Sequence, residues 1–188
     1  QGVMRHLLEI ENEWLECRVA ELLAADLERS PFAIEGVEEQ RSISIGGMTL
    51  TLRIDRVDRL DDGSIAVIDY KTGSDAEPDA WLGERPRLPQ LPLYAEALGM
   101  DRLSAVAFGR VRTGDTGFSG LTRDSAVFPG LKSPADRGWP GEYSSWEELL
   151  QAWRRRLGTL ASEHVQGDAR LAPDPSHACK YCHLAALC

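Results

Sequence analysis

The chain lacks the features that mark membrane-spanning and secreted proteins. Its 188 residues contain no apolar run as long as a membrane-spanning helix, and no signal-peptide pattern opens the sequence. Only four cysteines occur, and three of them crowd the C-terminus, which does not match the paired framework of a disulfide-rich secreted domain. These absences favour a reducing, cytoplasmic setting.

Excess positive charge is also missing. The formal net charge is −9, and this argues against a nucleic-acid partner because phosphate binding depends on Lys and Arg. The objection is incomplete, since a carboxylate metal site adds negative charge that bound cations cancel. The chain opens at Gln1 without an initiator Met, so we expect a fragment that need not contain the whole nucleic-acid path.

Several common catalytic motifs and repeat patterns are absent as well. The sequence shows no Ser/His/Asp grouping, no Gly-rich phosphate loop, no internal repeat and no low-complexity tract. What is present is ordinary for a soluble globular protein, with 43% hydrophobic and 27% charged residues. The length suits one compact domain.

Hydrophobic periodicity predicts a mixed α/β domain. A long amphipathic helix is expected from Val3 to Arg29, with Trp14 among its core-facing residues. The later elements are expected in this order: strands over 37–45, 48–59 and 65–70, a helix over 90–98, a strand over 104–111, a long loop over 114–143, and a helix over 146–165. Trp81 is expected in a loop.

The predicted organisation is a single domain in three parts. Residues 1–31 form an N-terminal helix that packs on the core, residues 32–172 form the core, and residues 173–188 form a cysteine-containing tail.

Two aspartates and a lysine are predicted to converge on the hairpin of the second and third strands. If the hairpin turns symmetrically about Asp62, Asp55 lies opposite Asp69 and both side chains share one face of the sheet. Alternation along the strand puts Lys71 on the same side as Asp69 and Asp58 on the other side.

Facing carboxylates repel unless a cation lies between them. Aspartate oxygens are ligands that Mg²⁺ and Mn²⁺ accept, and such an ion can activate water and polarise a phosphoryl oxygen. The simpler alternative is a surface hairpin with solvated charges. Because Asp69 and Lys71 interrupt an apolar strand, where a charge needs a reason, the sequence favours a functional site.

These residues resemble the RecB-like branch of the PD-(D/E)XK nuclease superfamily, and in particular the AddB-like C-terminal nuclease of bacterial proteins described as probable DNA repair proteins. The resemblance rests on four segments: Ile54 to Asp58, Ile68 to Gly73, Gln90 with Tyr94 at helical spacing, and the triplet Cys179, Cys182 and Cys188.

The resemblance implies a restriction-endonuclease-like core, a central mixed sheet flanked by helices in αβββαβ order. It implies Asp55 and Asp69 as Mg²⁺ or Mn²⁺ ligands, Lys71 as the catalytic lysine, and Gln90 and Tyr94 as supporting DNA or active-site contacts. The implied activity is hydrolysis of DNA phosphodiesters, exonucleolytic and within recombination or break repair. The implied partners are DNA and a helicase subunit or a helicase-like domain of the same chain.

Two parts of the family pattern are matched incompletely. His6 in Gly2-Val-Met-Arg-His6 is a candidate for the family's further metal ligand on an early helix. If it is not that ligand, the site is incomplete and the fragment is inactive alone. A [4Fe-4S] cluster is expected in the full-length protein, but here Cys17 is the one candidate for the fourth ligand beside Cys179, Cys182 and Cys188.

Two alternatives to an active nuclease stay open. The first is a DNA-binding or scaffolding module that keeps the fold without a complete metal site. The second is an interaction domain stapled by metal at its cysteines, where His177 and His183 would also suit zinc.

Overall fold

The computed structural model describes residues 2–73, 77–170 and 183. The helices are α1 (Gly2–Leu27), α2 (Gln90–Leu98), α3 (Pro134–Arg137) and α4 (Trp146–Val165). The strands are β1 (Phe32–Ile45), β2 (Met48–Leu60), β3 (Ile65–Lys71), β4 (Leu103–Arg110) and β5 (Gly117–Thr122). Short 3₁₀ turns cover Pro78–Trp81, Met100–Arg102 and Gly141–Tyr143.

One five-stranded sheet organises the domain, with its strands in the order β1-β2-β3-β4-β5. Neighbouring strands are antiparallel except β3 and β4, which are parallel and are joined by the crossover through α2. A parallel pair needs such a crossover because a tight hairpin can join only antiparallel strands. The mixed sheet flanked by helices is the predicted restriction-endonuclease-like fold.

Hydrophobic residues pack on both faces of the sheet. The larger cluster joins Val57, Val67 and Val106 of the strands to Leu91 of α2 and Trp153 of α4. A smaller cluster on the reverse face joins residues of β3 and β4 to a loop, namely Ala66, Ile68, Ala105, Ala107, Phe128 and Leu131. Because β3 and β4 are covered on both faces, they read as nearly continuous apolar runs.

The prediction of one long loop over residues 114–143 is wrong, because this stretch contains β5 and α3. Strand β5 has glycine at positions 117 and 120, and glycine is typical of loops. Gly120 is needed there because a Cβ at this position would lie 2.1 Å from the carbonyl oxygen of Val106. The close approach of β4 and β5 thus requires a glycine, and this glycine makes the sequence of β5 resemble a loop.

Helix α1 buries residues against the rest of the domain at its C-terminal end, and Trp14 in its middle donates a hydrogen bond to Thr113 at 2.8 Å. Of its residues only Leu22 and Asp26 are buried, and most of its apolar stripe is exposed, including Trp14. Trp81, predicted in a loop, is instead fully buried against Phe108 and Trp153. No helix among the described residues is long and apolar enough to cross a membrane.

Candidate active site

The β2–β3 hairpin has the register that the sequence predicts. Arg56 pairs with Ile68 and Val57 pairs with Val67, so positions that sum to 124 lie opposite each other. Ladder pairing stops at Arg56, and beyond it the carboxylate of Asp55 accepts a hydrogen bond from the backbone N–H of Tyr70 at 2.9 Å. The Asp55 side chain therefore takes the place of a backbone acceptor where the two strands separate.

The other side of β2 is irregular at the same point. Val37 pairs with Arg56 and Glu39 with Ile54, so the pairing of β1 with β2 skips Glu38 and Asp55. Glu38 has a φ of 53°, a backbone conformation that non-glycine residues seldom adopt. Strain of this kind clusters at functional sites, and here it lies next to the first aspartate of the predicted pair.

Asp69 is a buried carboxylate with few partners. Its side chain is 1% exposed, and within the described chain Oδ1 accepts no hydrogen bond. Its one close polar neighbour is Lys71, whose Nζ lies 2.6 Å from Oδ2. A buried carboxylate normally has hydrogen-bond donors, so these free lone pairs are a marked deficit.

The protonation equilibrium of Asp69 reflects this deficit. Burial raises the pKa of the Asp69 carboxyl above its ordinary value; the Lys71 ammonium opposes the rise, and the charge of Asp55 adds to it. The Asp55 carboxylate is hydrogen-bonded to the backbone N–H of Tyr70, the residue after Asp69, and two carboxylates at such neighbouring positions repel. Burial thus disfavours the ionised form of Asp69 in the absence of a cation, and a carboxyl with a perturbed pKa is typical of a functional site.

Helix α2 adds a chain of hydrogen bonds that orients Lys71. The Lys71 ammonium donates to Gln90 Oε1 at 2.9 Å, and Gln90 Nε2 donates to the Tyr94 hydroxyl at 2.5 Å. The Tyr94 hydroxyl in turn donates to the backbone carbonyl of Arg53 at 2.5 Å. Because Gln90 and Tyr94 are one helical turn apart, both reach the site from the same face of α2.

The donor set fits a small divalent cation. Asp69 offers a buried Oδ1 that accepts no hydrogen bond within the described chain, and the Asp55 carboxylate is bonded to the backbone of Tyr70, the residue after Asp69. Carboxylate oxygens of this kind suit Mg²⁺ or Mn²⁺. A cation would also remove the repulsion between the two carboxylates. The arrangement can therefore hold a metal ion beside an oriented ammonium group.

His6 and the cysteines lie apart from this arrangement or outside the described residues. The His6 side chain is 75% exposed on α1, where its ring nitrogen lies 3.7 Å from Glu9. Among residues 2–73, 77–170 and 183, no three His, Cys, Asp or Glu side chains form a metal-binding group. Cys17 is a free, exposed thiol, and the triplet at 179, 182 and 188 lies outside the described residues. Their ligand roles stay predictions.

A buried ion-pair network lies behind the hairpin, and the sequence analysis did not find it. Arg29 donates to Asp26 at 2.7 Å and to Asp58 at 2.8 Å, while Arg56 donates to Asp58 at 2.7 Å and to Asp26 at 2.7 Å. Arg56 also donates to the Tyr70 hydroxyl at 3.1 Å. Burial opposes the charge, yet the hydrogen bonds to Asp58, Asp26 and Tyr70 raise the pKa of Arg56 above its ordinary value.

The network links β2 and β3, the strands that carry Asp55 and Asp69, from the reverse face of the sheet. Arg56 follows Asp55 in β2, and Tyr70 separates Asp69 from Lys71 in β3. The sequence signal that could have shown it is Arg56 and Asp58 alternating with apolar residues in a strand whose two faces are both covered. Their partner Asp26 comes from the end of α1 and Arg29 from the turn after it, and strand periodicity alone cannot bring either residue to this position.

The exposed arginines of α4 are engaged by acidic residues. Arg154 donates to Glu96 at 3.1 Å, Arg155 to Glu142, and Arg156 to Glu84 at 2.5 Å. These pairs account for the basic cluster at positions 154–156 as a solvated helix face.

Comparison with known proteins identifies a family. The family model described as the PD-(D/E)XK nuclease superfamily matches residues 2–188. A solved structure described as "Crystal structure of SSO0001" is 16% identical and aligns over 81% of this chain with a TM-score of 0.38. The alignment covers 59% of that chain. A search of curated proteins gave no match.

Proposed function

The chain belongs to the PD-(D/E)XK nuclease superfamily, and we propose that it is a metal-dependent deoxyribonuclease domain with its centre at Asp55, Asp69 and Lys71. The observation that carries the proposal is the buried Asp69 carboxylate, whose Oδ1 accepts no hydrogen bond among the described residues while Oδ2 lies 2.6 Å from Lys71 Nζ. A structural carboxylate at this depth would be satisfied by donors, whereas a metal ligand keeps its lone pairs free.

Each residue has a distinct role in the proposed reaction. Asp55 and Asp69 would hold Mg²⁺ or Mn²⁺, which when bound acts as a Lewis acid on a phosphoryl oxygen. Lys71 stabilises negative charge that develops on the scissile phosphate and can orient the attacking water. Gln90 fixes the ammonium through its 2.9 Å hydrogen bond, and Tyr94 fixes Gln90.

The finer assignments rest on the family resemblance. We propose DNA as the substrate, exonucleolytic cleavage within repair or recombination, and a helicase subunit or helicase-like domain as the partner. The [4Fe-4S] cluster at Cys179, Cys182 and Cys188, with Cys17 as a candidate fourth ligand, also stays a prediction for the full-length protein. So does a cytoplasmic location.

A non-catalytic DNA-binding or scaffolding module of the same fold is the second candidate. It is favoured by one observation, namely that Asp55 and Asp69 have no third metal-ligating side chain beside them among the described residues. Metal binding without cleavage is the expected behaviour of such a module.

Replacing Lys71 with Met tests the proposed activity. We expect Lys71→Met to lower Mg²⁺-dependent cleavage of end-labelled DNA by about a hundredfold to a thousandfold, because an aimed charge at the reacting phosphate is lost. Parallel reactions with single-stranded DNA, duplex DNA and RNA define the substrate, and EDTA defines the metal requirement. Lys132→Met, at an exposed lysine outside this hydrogen-bonded cluster, is the matched control. Wild-type protein without cleavage of any of these substrates would favour the scaffolding module.

Replacing Tyr94 with Phe tests the orienting role of α2. The variant loses the hydroxyl that bridges Gln90 and the Arg53 carbonyl, so Lys71 loses a fixed position. We expect kcat for DNA cleavage to fall by roughly 10- to 100-fold with little change in KM, as for other residues that orient a metal site's ligands. Tyr143→Phe removes another partly buried hydroxyl, which contacts Gly83 instead, and is the control. Equal kcat values for the two variants would contradict the role of Tyr94.

A further inference from the structure

A groove leaves the active site along the β1–β2 hairpin. Its first recess has a volume of about 410 Å³ and lies between β2 and α2. A second recess of about 240 Å³ continues it as far as α4. The two recesses share Pro89 and Leu93, so they form one continuous surface, which we call the hairpin groove.

The walls of the hairpin groove are apolar and carry no negative charge. Leu52, Leu88 and Leu93 supply much of the lining of the first recess. Among the described residues that line the two recesses there is no aspartate or glutamate, although the chain has 30 acidic residues and a net charge of −9. The recess beside α4 near Met100 is different, since Asp101 and Glu147 line it.

A cation lies at the mouth of the groove. Arg53 lines the first recess, and its side chain is 68% exposed in an ion pair with Glu38. An exposed ion pair of this kind contributes little, so an incoming phosphate can compete for the guanidinium. The groove thus combines an apolar floor with one accessible positive charge, which suits a ligand that alternates apolar rings with anionic groups.

The groove is continuous with the proposed catalytic centre. Gln90 and Tyr94 line the first recess and also form the hydrogen-bond chain that ends at Lys71. A ligand in this recess can therefore contact Gln90, the side chain that is hydrogen-bonded to the Lys71 ammonium group. If a DNA phosphate lies at Asp55, Asp69 and Lys71, the adjoining nucleotide of the same DNA strand lies next to the hairpin groove.

We propose that the hairpin groove binds an unpaired nucleobase of the strand whose phosphate lies at the catalytic centre, with Arg53 on an adjoining phosphate. The assignment rests on the proposed nuclease function and adds a subsite that requires an unpaired nucleotide. A base within a duplex is stacked and paired, so it enters a recess of this kind only after it has left the helix. Apolar side chains in the recess are covered when a base packs on them.

Binding of a normal and an abasic oligonucleotide tests the proposal. The probes are a fluorescein-labelled thymidine oligonucleotide of about ten residues, a length within the range that single-strand grooves cover, and an abasic strand with the same number of phosphates. Anisotropy is measured in EDTA, where metal-dependent hydrolysis is blocked. We expect the wild-type chain to bind the thymidine strand roughly tenfold more tightly than the abasic strand.

Two variants separate the contact to the base from the contact to the phosphate. The double variant Leu88→Ser, Leu93→Ser should bind both strands equally, because it loses the apolar surface. Arg53→Gln should weaken both strands by the same factor, because both keep their phosphates. Leu27→Ser, an exposed leucine on α1, is the matched control and should behave like the wild type. Thermal melting checks folding, and Leu88→Ser alone replaces the double variant if that variant unfolds.

Equal affinity of the wild type for the two strands would overturn the proposal and leave the groove to a protein partner. Mg²⁺-dependent DNA cleavage by the same preparation separates this result from a failure of the proposed function. Cleavage together with equal affinity rejects the base subsite alone, whereas absence of cleavage rejects the nuclease itself.

Discussion

Asp69→Asn is expected to raise the Tm of the metal-free protein at neutral pH while it abolishes metal-dependent cleavage. The folded-state pKa of Asp69 lies above its ordinary value because the carboxyl is buried. Protonation of Asp69 therefore stabilises the fold at pH values below the ordinary pKa, and this stabilisation is lost as the pH rises through the raised value. At neutral pH the ionised carboxylate is a net cost, which an amide does not carry.

The same substitution removes the metal ligand. Without the metal, several kcal/mol of charge stabilisation in the transition state are lost. Each 4 kcal/mol of this loss lowers the rate about a thousandfold. Differential scanning fluorimetry in EDTA and in Mn²⁺ separates the two effects. Mn²⁺ should raise the Tm of the wild type and leave the Tm of Asp69→Asn unchanged, because a ligand stabilises only the state that binds it.

Asp61→Asn is the matched control for this prediction, since Asp61 is exposed in the β2–β3 turn. It should behave like the wild type in both conditions. A lower Tm for Asp69→Asn than for the wild type in EDTA would mean that the Asp69–Lys71 ion pair stabilises the fold, and the functional interpretation of Asp69 would lose its main physical support.

Asp58→Ala is expected to lower the free energy of unfolding by about 3–5 kcal/mol. Asp58 accepts hydrogen bonds from Arg29 and Arg56, and its removal leaves two buried guanidinium groups with Asp26 as their one remaining carboxylate. Arg29 is 1% exposed and lies between the rings of Phe32 and Phe128, so water cannot replace the lost acceptor without opening the core.

Urea denaturation measures this effect, and Glu39→Ala is the matched control. Glu39 forms an ion pair with Arg41 on the exposed part of β1, for which a loss of about 0–1 kcal/mol is expected. Similar losses for the two variants would show that the network behind the hairpin is solvated. It would then be unable to hold β2 and β3 in position for the site.

Much of the site could be predicted because it depends on short-range rules. The hairpin register follows from a turn centred on Asp62, and it places Asp55 and Asp69 together whatever the rest of the chain does. The spacing of Gln90 and Tyr94 likewise puts them on one face of α2, and α2 spans the predicted residues. These features need only the periods of a strand and a helix.

The features that were missed depend on contacts between distant parts of the chain. The irregular backbone at Glu38 and Asp55 arises from two strands together, and neither strand shows it alone. Polar neighbours predict a loop position for Trp81, yet the 3₁₀ turn of Pro78–Trp81 inserts it between Phe108 and Trp153. Trp14 has helical spacing to other apolar residues, but it is 40% exposed, and its indole N–H donates to Thr113 in the loop between β4 and β5.

Isothermal titration of Mn²⁺ into the wild-type chain and into Asp55→Ala and Asp69→Ala tests the central claim most directly. Asp61→Ala, at the exposed turn of the same hairpin, is the control. The account predicts saturable binding by the wild type and by Asp61→Ala, and loss of that binding in the two site variants. Equal Mn²⁺ binding by all four proteins, or no binding by the wild type, would contradict a metal centre at Asp55 and Asp69.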